Sequence, residues 1–430
     1  MPASGSGRST STLPPSSPPP PSSDALVAEA ARYKRLYESS LKANGQGGAK
    51  RRQDEPPRTQ KLGRGIRRIV DLFEDVEDIV RHADEYEVAE DNVSSDEESA
   101  DGDLDDDSRR EEREEREERR QERRVRKRAH RSVEILSQLI PKFREKIDNA
   151  EPEELVPWYK DLQSGGNNAR SDDIHKLTPK VADWVNLAEE PTPLIHPASR
   201  ENRGLQHDLC GKLLSPVDCD WEDPIIRAKI RNFEAGFELS SSARALYANF
   251  TGDPRNLEVG FLKSKLLVKT YKCIFTSPSS ANDVNLGEDS DQENVDHPPV
   301  RRRTSSKSHK SVRKDVAGTL HMDHKVTPRA IAYTAVQLLF ALSSAPSWTH
   351  SHQGLSFIDC YYYIVHFFEG FSDDDLESKK TAQDLLKWWN RQIFPEARPT
   401  AVKSGAKRAF DALAQQRAAR KRKNQSTARS

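Results

Sequence analysis

The sequence is poor in apolar residues, which make up 34% of its 430 positions. Typical globular chains carry about 45 to 50%, so much of this chain cannot bury enough surface to repay the entropy of ordering. Cysteine is also scarce: the four cysteines stand far apart, without the close pairs of a disulfide framework. The N-terminus has no apolar stretch typical of a signal peptide. These absences favour a reducing compartment.

Long apolar runs are missing as well. The most apolar stretch, residues 330–345, contains Tyr333, Gln337 and Ser343, whereas a membrane span needs about 20 mostly apolar residues. We therefore expect a buried helix here and no membrane partner.

Common catalytic motifs are absent too. The sequence has no phosphate-binding glycine loop of the Walker or dinucleotide type, no Gly-x-Ser-x-Gly and no His-Glu-x-x-His. The nearest approach to a metal cluster is Cys210 and Cys219 with His207, which lack the paired spacing of structural zinc sites. We expect no metal ion, no cofactor and no catalytic set of a familiar kind.

What the chain does contain is charge, arranged in blocks. Charged residues make up 32%, and the formal net charge is only -1. Residues 71–107 nevertheless carry eighteen acidic side chains and one basic one, and the tail from Ala401 carries nine basic and one acidic. Such blocks are typical of solvated segments and interaction tails.

Together these features predict a mainly α protein. It would have one helical globular domain, split by a disordered insert and flanked by long disordered and charged segments. All six tryptophans lie between residues 158 and 389, which marks that span as the folded part because large aromatics dominate core burial. In chain order we predict a disordered Pro/Ser-rich region at 1–61 with a short helix near 24–42, an amphipathic helix at 62–90, an acidic spacer at 91–108, a highly charged helix at 109–131, a first half-domain at 132–276, a disordered insert at 277–325, a second half-domain at 326–396 and a basic tail at 397–430.

Helix starts are legible inside the domain. Thr178-Pro179, Asp223-Pro224 and Thr327-Pro328 each place a capping side chain before a proline, the preferred order at a helix N-terminus. The stretch FIDCYYYIVHFF, residues 357–368, has the composition of a strand and the length of a helix, and we predict a helix.

The predicted helix at 62–90 has its charges reversed. Arg64, Arg67 and Arg68 stand at its start and acidic residues at its end, opposite to what the helix dipole favours. Tertiary or partner contacts should therefore hold it. Its apolar face is expected to dock on this domain, on a second copy of the chain or on a foreign protein partner.

The helix at 109–131 lacks apolar a and d positions, which favours a solvated single helix over a coiled coil. Its end, RRVRKRAHR at 123–131, is basic enough to contact nucleic acid, although a solvated face is the plainer interpretation.

Two further features are candidates for nucleic-acid binding. Lys265, Lys269 and Lys272 align on one helix face next to a broad apolar arc. They form either a phosphate-binding stripe or an ordinary solvent face. The tail carries a compact basic cluster consisting of Arg420, Lys421, Arg422 and Lys423.

The tail cluster and the basic run at 299–314 both resemble nuclear-import signals. We therefore expect residence in the nucleus, with the cytoplasm as the alternative. Ser94, Ser95 and Ser305 lie at spacings that kinases use, so phosphorylation there is a hypothesis.

Two adjacent tryptophans in KWWNRQIFP, Trp388 and Trp389, are either a stacking platform for a base or part of the closing helix of the core. Helical geometry puts Trp389 near the centre of an apolar arc and Trp388 at its edge. We expect the closing helix; an exposed Trp388 beside a cleft would favour the binding role.

Several segments, taken in order, resemble a large family of uncharacterised proteins from mushroom-forming basidiomycete fungi. They are RGLQHDLCGKLLSP, DWEDPIIRAKI, LYANFTGDPRNLEVGFLKSKLLVKTYKCIFTSPSSA, VTPRAIAYTAVQLLFALSS and DLLKWWNRQIFP, with a weaker likeness upstream at LGRGIRRIVDLFEDVEDIV. The resemblance covers roughly residues 62–395 and implies no particular chemistry.

Two hypotheses of function follow. The first is a non-enzymatic nuclear interaction protein that associates with protein partners, nucleic acid or both. The second is an enzyme with a dispersed site in the helical domain, for which the candidate residues are His207, Asp220, Asp359 and His366. The apparent expansion of the resembling family gives a third and weaker interpretation, a protein associated with mobile elements.

Overall fold

A computed structural model describes residues 58–91, 106–284, 315–371 and 375–395, together with Gln416. Over these ranges the chain is mainly α-helical, as the sequence predicts, and its strands form one two-residue antiparallel pair. The Pro/Ser-rich region up to residue 57, most of the acidic spacer and of the insert, and the tail apart from Gln416 lie outside the described residues. The helices are α1 (Arg58–Gly63), α2 (Val76–Asp91), α3 (Asp106–Leu139), α4 (Phe143–Asn149), α5 (Pro152–Glu189), α6 (Asp208–Leu214), α7 (Pro224–Arg231), α8 (Lys265–Tyr271), α9 (Val316–Thr319), α10 (Pro328–Leu342), α11 (Phe357–Glu369) and α12 (Leu376–Ile393), and the strands are β1 (Ser351–His352) and β2 (Leu355–Ser356).

Helix α10 is the centre of the core. Its residues from Arg329 to Leu342 are all buried, in keeping with a sequence that has apolar residues around the whole circumference of the helix. The hydroxyl of Thr327 accepts from the Ala330 amide and caps the helix just before Pro328, as the sequence predicts. Helices α5 and α11 pack on it. No described helix is both long and apolar enough to cross a membrane.

The two halves of the domain share this core. Trp389 of α12, from the second half, is fully buried, and its ring centroid lies 5.4 Å from that of Tyr271, from the first half. The prediction that Trp389 belongs to the closing helix is confirmed. Trp388 is half-buried, with its ring edge-on to Trp389. Asn390 accepts from the Val326 amide at 2.8 Å, which ties α12 to the start of the second half.

Helices α1 and α5 cross at three glycines. A Cβ on Gly63 would lie 2.0 Å from the Leu162 carbonyl oxygen, and one on Gly165 would lie 2.0 Å from the Gln60 carbonyl oxygen. Backbones this close leave no room for a side chain. The Gly-Gly pair inside α5 is therefore explained by packing.

Residues 62–90 do not form the single helix predicted from the sequence. Helix α1 ends at Gly63, a π-helical turn occupies Ile66–Val70, and α2 begins only at Val76. Because the helix is interrupted here, the side chains of Arg67 and Arg68 turn into the domain, where both are buried. The arginines at the start of this segment therefore bind carboxylates, on α5 and elsewhere, and do not lie at the N-terminus of one long helix. The apolar face of the segment packs within this chain.

Pro179 is not at a helix start, contrary to the prediction from Thr178-Pro179. It lies inside α5, which runs unbroken through Pro157 as well. A proline in a helix interior costs about 3 kcal/mol. Buried neighbours such as Val181 and Trp184 give α5 packing contacts that favour continuation. The predicted helix at 357–368 is confirmed as α11.

Candidate nucleic-acid interface

The lysine stripe is less open than its spacing implies. Lys269 is buried, donates to the Val284 carbonyl at 3.3 Å and lies 5.3 Å above the Trp184 ring. Lys265 and Lys272 are half-buried. Burial lowers the pKa of Lys269 and of Lys272. The tail cluster Arg420–Lys423 lies outside the described residues.

A basic groove of about 820 Å³ lies between α3 and α11. Six basic side chains line it against two acidic ones, and three tyrosines stand among them. The basic residues are Arg120, Arg123, Arg124, Lys127, Arg128 and Arg131; the acidic ones are Asp359 and Glu369; the tyrosines are Tyr86, Tyr362 and Tyr363.

Helical periodicity explains the basic wall. At 100° per residue, the six basic positions of α3 fall within an arc of about 140°, so they face one side of the helix. The segment RRVRKRAHR, whose basic character the sequence shows, supplies five of them. The sequence places these residues on a helix without showing what faces them.

Helix α11 supplies the aromatic wall. The guanidinium of Arg128 lies 3.8 Å from the centroid of the Tyr362 ring, a favourable cation–π distance. Arg131 donates to the Glu369 carbonyl at 2.9 Å and approaches its carboxylate at 3.6 Å. The two walls are thus in direct contact at the bottom of the groove.

Arg329 of the core helix α10 fixes both walls from below. Its guanidinium contacts the Glu369 carboxylate at 3.0 and 3.1 Å, the Ser132 hydroxyl at 2.5 Å and the Arg128 carbonyl at 3.1 Å. Burial opposes its charge, but the Glu369 carboxylate, together with Tyr361 and Asp71, outweighs that effect and raises the pKa of Arg329. The negative charge of Glu369 is therefore compensated by the buried Arg329, and the groove keeps an excess of positive charge.

The outer basic residues remain available to a ligand. Arg120 and Arg124 approach Glu117 at 3.9 and 3.6 Å, and their side chains are more than half exposed. Exposed pairs of this kind contribute about 0 to 1 kcal/mol, so a phosphate can replace the glutamate at little cost. Lys127 is exposed and forms no ion pair within the described part of the chain.

His366 stands on the α11 side of the groove. Loss of solvent around its ring, with further contributions from Arg124 and Arg128, lowers its pKa below the usual value. The imidazole is neutral at pH 7 in the free protein.

Tyr363 forms the rim between this groove and a second one. Its side chain is 42% exposed, and its ring stands edge-on to the buried Phe261 with centroids 5.8 Å apart. The second groove, of about 480 Å³, is lined by Tyr363 and His366 again, with Phe367 and Phe371. Aromatic surface therefore continues from the basic groove across α11.

The adjacent face of α3 has the opposite sign. It borders a groove of about 720 Å³ whose lining has five glutamates and a single arginine, Arg126. The glutamates are Glu85, Glu114, Glu117, Glu118 and Glu122. One helix thus separates a basic groove from an acidic one.

The four residues considered for an enzyme do not form one site. His207 is buried, with Nδ1 accepting from the Cys210 amide and Nε2 2.8 Å from the Pro193 carbonyl oxygen, so both nitrogens serve the fold. Asp220 accepts from the Glu222 amide in a turn. Asp359 and His366 do line the basic groove, but they lie seven residues apart on α11, about 10 Å along its axis.

A serine–histidine pair lies elsewhere. The Ser344 hydroxyl is 3.0 Å from His352 Nε2, and it donates to the Gln353 side-chain oxygen, also at 3.0 Å. A hydroxyl has one proton, so with this amide orientation His352 donates to Ser344 and does not activate it. Across the described ranges, no three histidine, cysteine or acidic residues are placed to hold a metal ion.

Comparison with known proteins adds a family and no activity. A family model described as a family of unknown function, DUF6698, matches residues 164–394. A search of curated proteins and a search of solved structures each returned no match. The matched region includes the aromatic wall on α11, while the basic wall on α3 precedes it. Since the match covers more than half of the 430 residues, the chain belongs to the DUF6698 family.

Proposed function

We propose that this protein is a non-enzymatic interaction protein that binds nucleic acid through the basic groove between α3 and α11. The observation that carries the proposal is the convergence of six basic side chains beside tyrosines in one groove. Lysine and arginine bind phosphates independently of sequence and release counterions. Aromatic rings beside them offer surfaces for bases.

The contacts beneath the groove support a binding site that is preformed in the free protein. The buried Arg329 holds both walls in place through Glu369 and Ser132, so the basic side chains are arrayed before any ligand arrives. Preorganised contacts of this kind reduce the ordering cost of association. An enzyme with a dispersed site stays the alternative, although its candidate residues are scattered as described above.

The proposal includes residence in the nucleus and an origin in basidiomycete fungi. Nuclear residence is supported by the basic runs at 299–314 and 420–423. A fluorescently tagged chain in a fungal cell checks it: nuclear signal that is lost on neutralising both runs is expected, and cytoplasmic signal of the unaltered chain would contradict it. We also propose protein partners, and the acidic groove offers a surface for a basic protein.

Binding is tested with the purified full chain across a salt series, using labelled DNA and RNA. In the groove variant, Arg120, Arg124 and Lys127 are changed to glutamine. Each lost phosphate contact lowers the salt slope by about 0.7 on a single strand, so three should lower it by about 2 and weaken binding at low salt.

The matched control changes the exposed Lys160, Lys263 and Lys380 to glutamine, the same loss of charge outside the groove. It should bind as the unaltered chain does. A second control ends at residue 400 and removes the basic tail. Equal losses in the groove and control variants, or binding that disappears only with the tail, would overturn the assignment to the groove.

A further inference from the structure

The exposed ring of Tyr363 bears on which nucleic acid fits. Its side chain is 42% exposed at the junction of the two grooves. The buried Phe261 packs against the ring in a T-shaped arrangement, and Phe367 packs in the same way against Phe261 with centroids 5.4 Å apart. Tyr363 is thus a supported aromatic surface on the wall opposite the arginines. A base can reach such a surface only if it is not stacked inside a duplex.

The distribution of charge around α3 also favours a narrow nucleic acid over a broad one. The helix with its side chains is about 10 to 12 Å across, and the acidic groove lies on its adjacent face. A ligand broader than the basic groove would carry phosphates over Glu118 and Glu122. Phosphates held directly over these carboxylates would be repelled, because they would lie within the Debye length of about 8 Å at physiological salt. A single strand kept within the groove avoids this repulsion.

We infer that the groove binds a single-stranded nucleic acid, with its backbone on Arg120, Arg124 and Lys127 and a base stacked on Tyr363. The inference rests on the proposed function and specifies its ligand. Stacking on an aromatic ring tolerates any base, so the preference is for strandedness and not for sequence.

The test compares the full chain on a labelled oligothymidylate, on a duplex of the same length and on an oligomer of abasic sites. The single strand should bind tightest. The abasic oligomer, which keeps the phosphates and lacks the bases, should bind the unaltered chain about 5- to 150-fold more weakly than oligothymidylate, the range that stacking of one base provides. Duplex binding equal to or tighter than that of the single strand would overturn the inference.

Variants assign the stacking to one ring. Tyr363→Ala should lose the same factor on oligothymidylate with an unchanged salt slope, and should no longer distinguish it from the abasic oligomer. Tyr363→Phe keeps the ring and should therefore still bind oligothymidylate more tightly than the abasic oligomer. Phe233→Ala removes a ring that is 49% exposed elsewhere and serves as the matched control. Thermal unfolding of each variant checks that the fold is kept.

These experiments distinguish failure of the single-strand inference from failure of the proposed function. If the groove charge variant weakens binding while Tyr363→Ala does not, nucleic-acid binding stands and the single-strand inference is wrong. If the groove charge variant binds every probe as the unaltered chain does, the proposed function is wrong and the inference with it. The abasic comparison needs no variant, so it decides the point even if Tyr363→Ala unfolds.

Discussion

At the scale of single residues, the fold depends on buried arginines that bind carboxylates or backbone carbonyls. Arg68 meets the buried Asp173 at 2.7 Å through two nitrogens, and the Tyr333 hydroxyl donates to the same carboxylate at 2.8 Å. Bidentate pairs of this kind fix geometry strongly. They join the N-terminal segment to α5 and α10, and the sequence gives no hint of them because the partners stand more than 100 positions apart.

Removing Asp173 should therefore destabilise the whole domain. Asp173→Ala leaves Arg68 charged and buried without a counter-ion, which costs about 3 to 5 kcal/mol. Its neighbour Asp172 pairs with Arg64 at the same 2.7 Å distance but in an exposed position, so Asp172→Ala should cost less than about 1 kcal/mol. Urea denaturation measures both free energies of unfolding, and equal losses would contradict the assignment.

His366 should make binding depend on pH. Its pKa is lowered in the free protein, and a phosphate nearby would favour the imidazolium form. Binding then takes up a proton, so affinity for a single strand should rise as the pH falls from about 7.5 to 5.5, by up to about tenfold per pH unit. His366→Gln should lose the dependence; an unchanged profile would show that another group is responsible.

At the scale of elements, local signals predicted helices well and their surroundings poorly. Thr327 and Pro328 mark the start of α10, and residues 357–368 form the predicted α11, because capping and length are local properties. The break near Arg67 and the unbroken course of α5 through Pro179 depend on contacts from distant segments. The same limit applies to the site: the basic wall was visible in the sequence, while the tyrosines facing it were not.

The C-terminus of α10 shows how one element depends on another. Arg203 is buried without an acidic partner and donates to backbone carbonyls, including Ala341 at 2.6 Å and Thr178 at 3.2 Å. Its bond to Ala341 satisfies one of the carbonyl groups that have no hydrogen-bond donor within the helix at its C-terminal end. Arg200 donates to the Phe340 carbonyl in the last turn of α10 and to the Ala345 carbonyl beyond the end of that helix.

Arg203→Met should thus unfold or strongly destabilise the domain. Each buried carbonyl left without a donor costs about 1 to 3 kcal/mol, and Arg203 serves several, so a loss of at least about 3 kcal/mol is expected. Chemical denaturation measures it against Arg391→Met, an exposed arginine on α12 whose loss should change little. A tolerated Arg203→Met would mean that water replaces the guanidinium.

At the scale of the whole molecule, the family region is not a separate folding unit. Residues 164–394 match the family, but their core includes Ile66, Val70 and Leu136 from upstream. The buried Arg329 also bonds to the Val70 carbonyl and to Ser132. These contacts make the upstream helices part of the same domain.

A chain limited to residues 164–394 should therefore fail to fold. It would expose the apolar surfaces of α10 and α5, take Arg68 away from the buried Asp173, and remove the Val70 and Ser132 contacts of Arg329. A chain of residues 58–395 should unfold cooperatively. Circular dichroism on heating compares the two, and a cooperative transition of the shorter chain would contradict the single-domain account.

Photo-crosslinking the full chain to oligothymidylate, with the attached peptides mapped by mass spectrometry, shows whether nucleic acid occupies the groove between α3 and α11. We expect crosslinks to the peptide containing Tyr362 and Tyr363 and to residues 120–131 of α3. Crosslinks confined to the tail after residue 396, or to the helix bearing Lys265, Lys269 and Lys272, would contradict it.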